Sequence, residues 1–260
     1  MRYLERKKAE EQLSEIDKKR EMYHIIHYSS GNFKNPEEGY SSRITSIAIY
    51  NVGSGQTVSF SIHMIAEEYH ISFDQIEDNY DFLEEKMLAE YFEFVKIHQE
   101  SKWLHWNMRD STFGFTALEH RYKIFGGTPI QINDENKIDV SGLFVRLYGN
   151  KYIEHPRMYN IIKLNSQLSM KNFLTGEEEI EAFHNKEFAK MHMSTQRKVL
   201  LIMYLLDLAI NGNLKTKAKV KDIYGLSARG LYEYTNENVF LIFIKWSITL
   251  FVGYMLGKYL

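Results

Sequence analysis

Several residue types are scarce or missing in this chain, and each absence narrows its chemistry. The 260 residues contain no cysteine, which excludes disulfide bonds, thiolate metal ligands and a cysteine nucleophile and favours an intracellular protein. The chain has only three prolines and 14% aromatic residues, a composition typical of an ordered chain without long linkers. The formal net charge of −2 at pH 7 is too balanced to predict a broad nucleic-acid surface. We therefore expect one sizeable domain with appendages.

The longest apolar run lies near the C-terminus. Residues 239–256 read VFLIFIKWSITLFVGYML, eighteen residues with Lys245 as the single charge. A run of this length is typical of a membrane span, whereas helices of soluble cores are usually shorter and have a polar face. Its Leu, Ile, Phe and Val residues contribute about −5 kcal/mol to insertion, and Lys245 opposes this by about 3 kcal/mol at the bilayer centre. The balance predicts a membrane-spanning helix. The alternative is a buried or oligomer-interface helix.

The charges that flank this run predict its orientation. Lysines at alternate positions from Lys215 to Lys221, together with Arg229, precede the run, whereas only Lys258 follows it. Positive residues favour the cytoplasmic side, and the charged residues 1–20 do not resemble a signal peptide. We therefore expect a single-pass protein of the inner (cytoplasmic) membrane, with its main domain in the cytoplasm.

Local patterns divide the chain into four segments. We predict a charged N-terminal helix over 1–21, a domain over 22–212, a basic juxtamembrane connector over 213–237 and a transmembrane anchor over 238–260. The thin apolar stripe of the first helix is more typical of an arm or short coiled coil than of a core element.

The domain changes from strand patterns to helix patterns along its length. Three strands are followed by a helix with a capping-box signature, a fourth strand, a second helix, a candidate fifth strand and four more helices. The predicted strands are 23–28, 43–52, 57–63, 102–106 and 129–132, and the predicted helices are 72–98, 115–125, 139–149, 157–167, 175–189 and 193–211. This order is the topology of ribonuclease H-like domains. The predicted class is α/β: a ribonuclease H-like mixed sheet flanked by helices, a helical C-terminal half and a C-terminal transmembrane helix.

Three segments of the chain resemble the DEDD-type 3′–5′ exonucleases, a ribonuclease H-like family. The first is YHIIHYSSGNF with the following RITSIAIYNVGSGQTVSFSIH, the second is WLHWNMRDSTFGFTALEHRY, and the third begins near MHMSTQRKV. The resemblance covers about residues 22–210. It implies the fold of this family, which hydrolyses phosphodiesters with two bound metal ions.

The family's catalytic acids are mostly replaced in this chain. The Asp and Glu of the first strand fall on His27 and Ser29, and the Asp of the last helix falls on Arg197, although that helix keeps a histidine, His192. Asp110 is the one nearby carboxylate of the middle segment. Two-metal hydrolysis requires several carboxylates around a pair of divalent ions. The resemblance therefore implies the fold and argues against the family's reaction.

In the implied fold, the ends of two strands and the last helix converge on one cleft. A cleft rich in His, Arg, Lys and Ser beside a helix N-terminus binds a phosphate rather than a metal ion. We expect Ser194 and Thr195 at the start of that helix. The predicted ligand-binding residues are Ser29, His105, Asn107, Arg109, His192, Ser194, Thr195, Arg197 and Lys198. The alternative is that these residues pair with acids such as Glu119, Glu187 or Asp207.

The resulting hypothesis is a membrane-anchored, catalytically degenerate exonuclease-like protein without a cofactor. It would bind a nucleotide or nucleic-acid end, act as a sensor or effector in bacterial anti-phage defence, and form a homo-oligomer or bind a partner protein. One alternative is an active nuclease that uses Mg²⁺ or Mn²⁺ with His27, His105, Asp110 and His192. A three-histidine metal site and an oligomer that disrupts the membrane through clustered anchors are further alternatives.

Overall fold

The central element is a mixed five-stranded sheet. The computed structural model describes residues 2–31, 42–109, 112–165 and 169–259, so Asp110 lies outside the described residues. The sheet order is β3-β2-β1-β4-β5, with β1 antiparallel to β2 and parallel to β4. This order is compatible with a ribonuclease H-like fold and confirms the predicted α/β class. The strands are β1 (Tyr23–Ser30), β2 (Ile44–Asn51), β3 (Thr57–Ser61), β4 (Lys102–His105) and β5 (Lys137–Asp139).

Helices cover both faces of the sheet. Alternate residues of β1 enter two separate cores, Ile25 on the side of α8 and Ile26 on the side of α3, because successive strand side chains point to opposite faces. All of β1 is therefore buried. The helices are α1 (Arg2–Lys18), α2 (Ile62–Glu68), α3 (Tyr80–Ile97), α4 (Phe115–Ile124), α5 (Val140–Tyr148), α6 (Arg157–Asn165), α7 (Gly176–His184), α8 (Phe188–Ile210), α9 (Val220–Tyr224), α10 (Ala228–Glu237) and α11 (Val239–Tyr259).

Two elements differ from their predicted positions. The fifth strand is Lys137–Asp139 and not 129–132, because Ile138 pairs with Leu104 of β4 and packs into the core. The helix predicted from 72 begins at Tyr80, after a short 3₁₀ turn. The hydroxyl of Ser72 donates to the Gln75 side chain at 2.8 Å instead of accepting a backbone N–H, so the expected capping box does not form.

The charged N-terminal helix is a packed element and not a free arm. Ala9, Leu13 and Ile16 of α1 are buried in the core beside α5 and α8. Their spacing of four and three residues places them on one face of the helix. Ala9 adds to the thin apolar stripe seen in the sequence, because its small side chain lets α1 pack closely against the core.

The segment that was predicted as a connector, residues 213–237, is structured and docks on α1. It contains the short helix α9 and the longer α10, both of which contact α1. Arg6 donates from two guanidinium nitrogens to the two carboxylate oxygens of Glu237, at 2.8 Å each. The predicted connector is therefore two helices attached to the domain.

The C-terminal helix α11 differs from the other helices in its exposure. Among the described residues it is the one helix long and apolar enough to span a membrane, and none of that stretch is buried against the rest of the chain. Phe240 is 71% exposed and Leu250 is 69% exposed. The predicted long apolar C-terminal helix is confirmed.

The packing of α1 yields a first prediction. Ile16→Ala should lower the free energy of unfolding by about 2–5 kcal/mol, because Ile16 is fully buried and its removal leaves a cavity. The control is Ser14→Ala on the exposed face of the same helix, which should change stability by less than about 0.5 kcal/mol. Urea unfolding of the detergent-solubilised chain measures both. Equal stability of the two variants would mean that α1 is an arm after all.

Candidate functional site

Helix α8 positions most of the predicted site residues. It crosses β1 and β2, and its apolar residues Val199 and Ile202 pack into the core on that face of the sheet. The helix begins at Phe188, five residues earlier than predicted. Ser194 and Thr195 therefore lie in its second turn, where the backbone N–H groups are already used within the helix. The structure places no helix N-terminus at these two residues.

A buried carboxylate organises the polar groups between α8 and β1. Glu179 of α7 is 1% exposed, and its Oε1 accepts hydrogen bonds from Lys198 Nζ at 2.6 Å, Ser29 Oγ at 2.8 Å and Ser194 Oγ at 3.2 Å. Lys198 is itself 5% exposed. The ammonium and the carboxylate thus neutralise each other away from water.

Hydroxyl groups extend this network across the sheet. Thr195 Oγ1 lies 2.7 Å from both Ser29 Oγ and Ser46 Oγ, and it also donates to the Met191 carbonyl at 3.0 Å. All of these side chains are buried. Buried polar groups are stable when each finds a partner, so this network holds α8 at one position on β1 and β2.

His27 lies on the same strand beside this network. Burial lowers its pKa well below 6.5, and the positive charge of Lys198 lowers it further, followed by His105. The imidazole is therefore neutral at pH 7. Its Nδ1 has no hydrogen-bond partner among the described residues.

A second cluster of polar residues lies at the carboxyl ends of β4 and β5. Asp139 caps α5 by accepting from the N–H groups of Ser141 and Gly142, and it also accepts from the N–H of Asn107 at 3.0 Å. Its Oδ2 lies 3.2 Å from Nε of Arg109. Asn107 has a φ of 56°, a left-handed conformation that asparagine tolerates better than most residues, so it forms a turn.

His105 precedes this turn on the opposite side of the sheet from α8. It pairs in register with Ile26 and packs edge-to-face on Phe115 of α4, with ring centroids 5.4 Å apart. Its Nδ1 accepts from the N–H of Met108 at 3.1 Å. Burial lowers its pKa to about 4, so His105 is also uncharged at neutral pH.

His192 and Arg197 extend away from both groups. His192 Nε2 lies 2.8 Å from Ser59 Oγ on β3, and burial, followed by the neighbouring His63, lowers its pKa to about 4. Strand β3 is two strands from β1, about 10 Å at the usual strand spacing. The Arg197 guanidinium donates to the carbonyl of Ser169 instead of pointing towards Lys198.

The predicted residues therefore form four neighbourhoods. Ser29, Ser194, Thr195 and Lys198 meet at Glu179, next to His27. Asn107 and Arg109 meet at Asp139, beside His105. His192 lies at β3, and Arg197 at the loop before α7. In each of these neighbourhoods, a predicted ligand-binding group is satisfied by a protein partner.

One open cavity remains beside the second neighbourhood. It measures about 310 Å³ and is lined by Arg109, Lys137, Asp134, Asp139 and His105, among others. Lys137 pairs with Asp134 at 2.9 Å, but that carboxylate is almost fully exposed. Exposed ion pairs contribute little stability, so a ligand can displace Asp134 from the lysine at small cost.

The two acids that organise the site were missed in the sequence. The sequence does contain a local signal for Glu179, because Thr175 and Glu178 form a capping box that puts Glu179 in the first turn of α7. Its partner Lys198 is on another helix. Asp139 was assigned to a helix start, but its contact with Arg109 depends on the turn at Asn107.

The chain was compared with protein-family models, curated proteins and solved structures, and none of them matches. The relation to the ribonuclease H-like fold thus rests on the strand order and the strand pairing.

The buried ion pair yields a second prediction. Lys198→Met should lower the free energy of unfolding by about 3–5 kcal/mol, because it leaves the Glu179 carboxylate buried without its cation. Adding Glu179→Gln should recover most of this loss, since the amide oxygen still accepts from Ser29. The control is Lys190→Met in the exposed pair with Glu187 on the same helix, which should cost less than about 0.5 kcal/mol. Additive effects of the two buried substitutions in urea unfolding would contradict the pairing.

The buried histidines yield a third prediction. His27, His105 and His192 have folded-state pKa values below the value of about 6.5 in the unfolded chain. The unfolded state therefore binds more protons as the pH falls through 6.5 towards 4, and stability falls with it. His192→Gln can still form a hydrogen bond with Ser59. This substitution should reduce the pH dependence of the free energy of unfolding by up to about 1.4 kcal/mol per pH unit. Thermal unfolding between pH 7.5 and 4.5 measures the slope, and an unchanged slope would show that His192 does not titrate there.

Proposed function

We propose that this chain is a membrane-anchored ribonuclease H-like protein that binds a ligand without cleaving it. The supporting observation is the buried pair of Lys198 and Glu179 with Ser29. The exonuclease resemblance puts a metal-binding acid at Ser29, and there the chain holds a hydroxyl bonded to an internal ion pair.

The chemistry of this pair argues against the family's reaction. Two divalent ions require several carboxylates with free oxygen lone pairs. Glu179 Oε1 already accepts from an ammonium and two hydroxyl groups. Among the described residues, no group of three or more His, Asp or Glu side chains is arranged to hold a metal ion. The bonding of Glu179 supports recognition, and not hydrolysis, as the proposed role of the domain.

The ligand that this proposal assigns is a nucleotide or a nucleic-acid end. Arg109 has a side chain 63% exposed, and Lys137 lines the same cavity. Guanidinium and ammonium groups are common phosphate partners, and a bidentate contact from arginine adds orientation. The other two predicted cations are engaged elsewhere, because Lys198 is buried and neutralised by Glu179 and Arg197 donates to the Ser169 carbonyl. The proposal therefore assigns the ligand to the Arg109 side of the domain.

The membrane anchor of this proposal is α11. Its length and exposed apolar surface support a single span, with the domain on the side of the preceding basic residues. A role as sensor or effector in anti-phage defence, and assembly with a second copy or a partner protein, stay predictions.

One preparation tests both parts of the proposed activity. The full chain in detergent is incubated with 5′-phosphorylated single- and double-stranded DNA and RNA in Mg²⁺ or Mn²⁺, and no cleavage is expected. Fluorescence anisotropy should detect binding that weakens steeply with salt. Replacing both cations, Arg109→Gln with Lys137→Gln, should weaken binding at least about tenfold.

The control for the binding assay is Lys190→Gln, which removes an exposed cation from α8 and should bind as the parent does. Cleavage that disappears on Asp110→Ala would establish a nuclease with a rebuilt site in place of a binding domain. Equal affinity of the double variant and the control would exclude the cavity as the binding site.

A further inference from the structure

Helix α10, immediately before the apolar helix, has two distinct faces. One face is turned towards the domain and includes Gly230, Glu233, Tyr234 and Glu237, which are buried, half-buried or ion-paired. Glu237 also accepts from the Tyr224 hydroxyl at 2.7 Å. These contacts fix the rotation of α10 about its own axis.

The opposite face of α10 is apolar and exposed. It includes the exposed residues Ala228, Leu231 and Tyr232 and the half-buried Thr235, which together follow the spacing of one helix face. Leu231 is 63% exposed and Tyr232 is 61% exposed, and Leu226 just before the helix is 90% exposed. Single exposed apolar residues are ordinary on protein surfaces, but these are grouped on one side and adjoin α11.

The charge of the apolar helix is held against this exposed face. Lys245 is six residues past Val239, about 9 Å along α11. Its Nζ nevertheless donates to Thr235 Oγ1 at 2.7 Å and to Asn236 Oδ1 at 2.8 Å, and it lies 5.2 Å from the centre of the Tyr232 ring. The ammonium is therefore withdrawn to the level of α10, while the carbon chain of the lysine stays along α11.

These contacts identify what covers the exposed face. A lysine near the end of a membrane span places its ammonium among the lipid headgroups, and tyrosine is enriched at the same depth. Lys245 and Tyr232 meet on the outer face of α10, so that face lies at headgroup depth wherever α11 spans the bilayer. A helix with one apolar face at that depth is stable parallel to the membrane surface.

We infer that α10 is an interfacial helix, with Leu226, Leu231 and Tyr232 immersed in the lipid surface and Lys245 linking it to α11. This inference rests on the proposed membrane anchor. The domain is then held at a fixed distance from the membrane and in a fixed orientation, because the other face of α10 is bonded to α1 through Arg6 and Glu237.

The absence of cysteine allows a direct test of depth, since each introduced thiol is labelled alone. The full chain is reconstituted in vesicles of phosphatidylcholine and phosphatidylglycerol at 3:1, with an environment-sensitive fluorophore at Leu231→Cys or Ala228→Cys. Leu250→Cys reports the span, and the exposed Ser14→Cys on α1 is the water-exposed control. Lipids with a nitroxide near the headgroup should quench positions 231 and 228 at least about threefold more than position 14.

The outcomes separate the inference from the anchor on which it depends. No quenching of position 250 by lipids with a deep nitroxide would mean that the chain does not insert, and the proposed anchor fails. If position 250 is quenched but positions 231 and 228 are quenched no more than position 14, α10 is not an interfacial helix. Efficient thiol crosslinking between chains at position 231 would likewise overturn the inference and assign this face to a second copy. In a Lys245→Ala background the quenching at 231 should fall at least about twofold, and Lys245→Arg should restore it.

Discussion

The contact between α8 and the antiparallel half of the sheet is the constraint on which the other features depend. Along this contact, Lys198 and Glu179 form a buried ion pair, and Ser29, Ser46 and Thr195 join it to two strands. Such a pair adds little net stability over an apolar core, but a missing partner is costly, so the register of α8 is specified. Burial beside this pair also keeps the imidazole of His27 neutral.

The same arrangement decides which cations of the predicted site are accessible to solvent. An ammonium bonded to a buried carboxylate does not attract a phosphate, so the positive charge of Lys198 is cancelled. Arg109, which follows the end of β4, is exposed, and Lys137, at the start of β5, is partly exposed and lines the same cavity on the far side of β1. Open α/β sheets commonly bind ligands at the carboxyl ends of their parallel strands, which is where this cavity lies. The buried ion pair and the cavity that is open to solvent are thus on different parts of the sheet.

The two ends of the chain meet in the fold, which relates the domain to the apolar helix. Arg6 of α1 binds Glu237 of α10, although 231 positions separate them. The buried side chains of α1 attach it to the core that also contains α8. Helix α11 therefore follows a docked helix and not a loose linker. A chain of packed helices thus connects α11 to the sheet.

Local sequence patterns were sufficient for the elements whose signals are local. Strand patterns predicted β1, β2, β3 and β4, and the apolar run at 239–256 predicted α11. Short elements were harder, because the three residues of β5 have no periodicity of their own and form a strand only by pairing with β4. The pairings within the site were not predictable. Charge alone does not specify which of the 34 acidic residues pairs with Lys198, because Coulomb attraction acts between any two opposite charges. Glu179 is the partner because α7 packs against α8. The sequence by itself determined the α/β class and the apolar C-terminal helix, whereas the tertiary structure alone decided which charges are cancelled and which remain accessible.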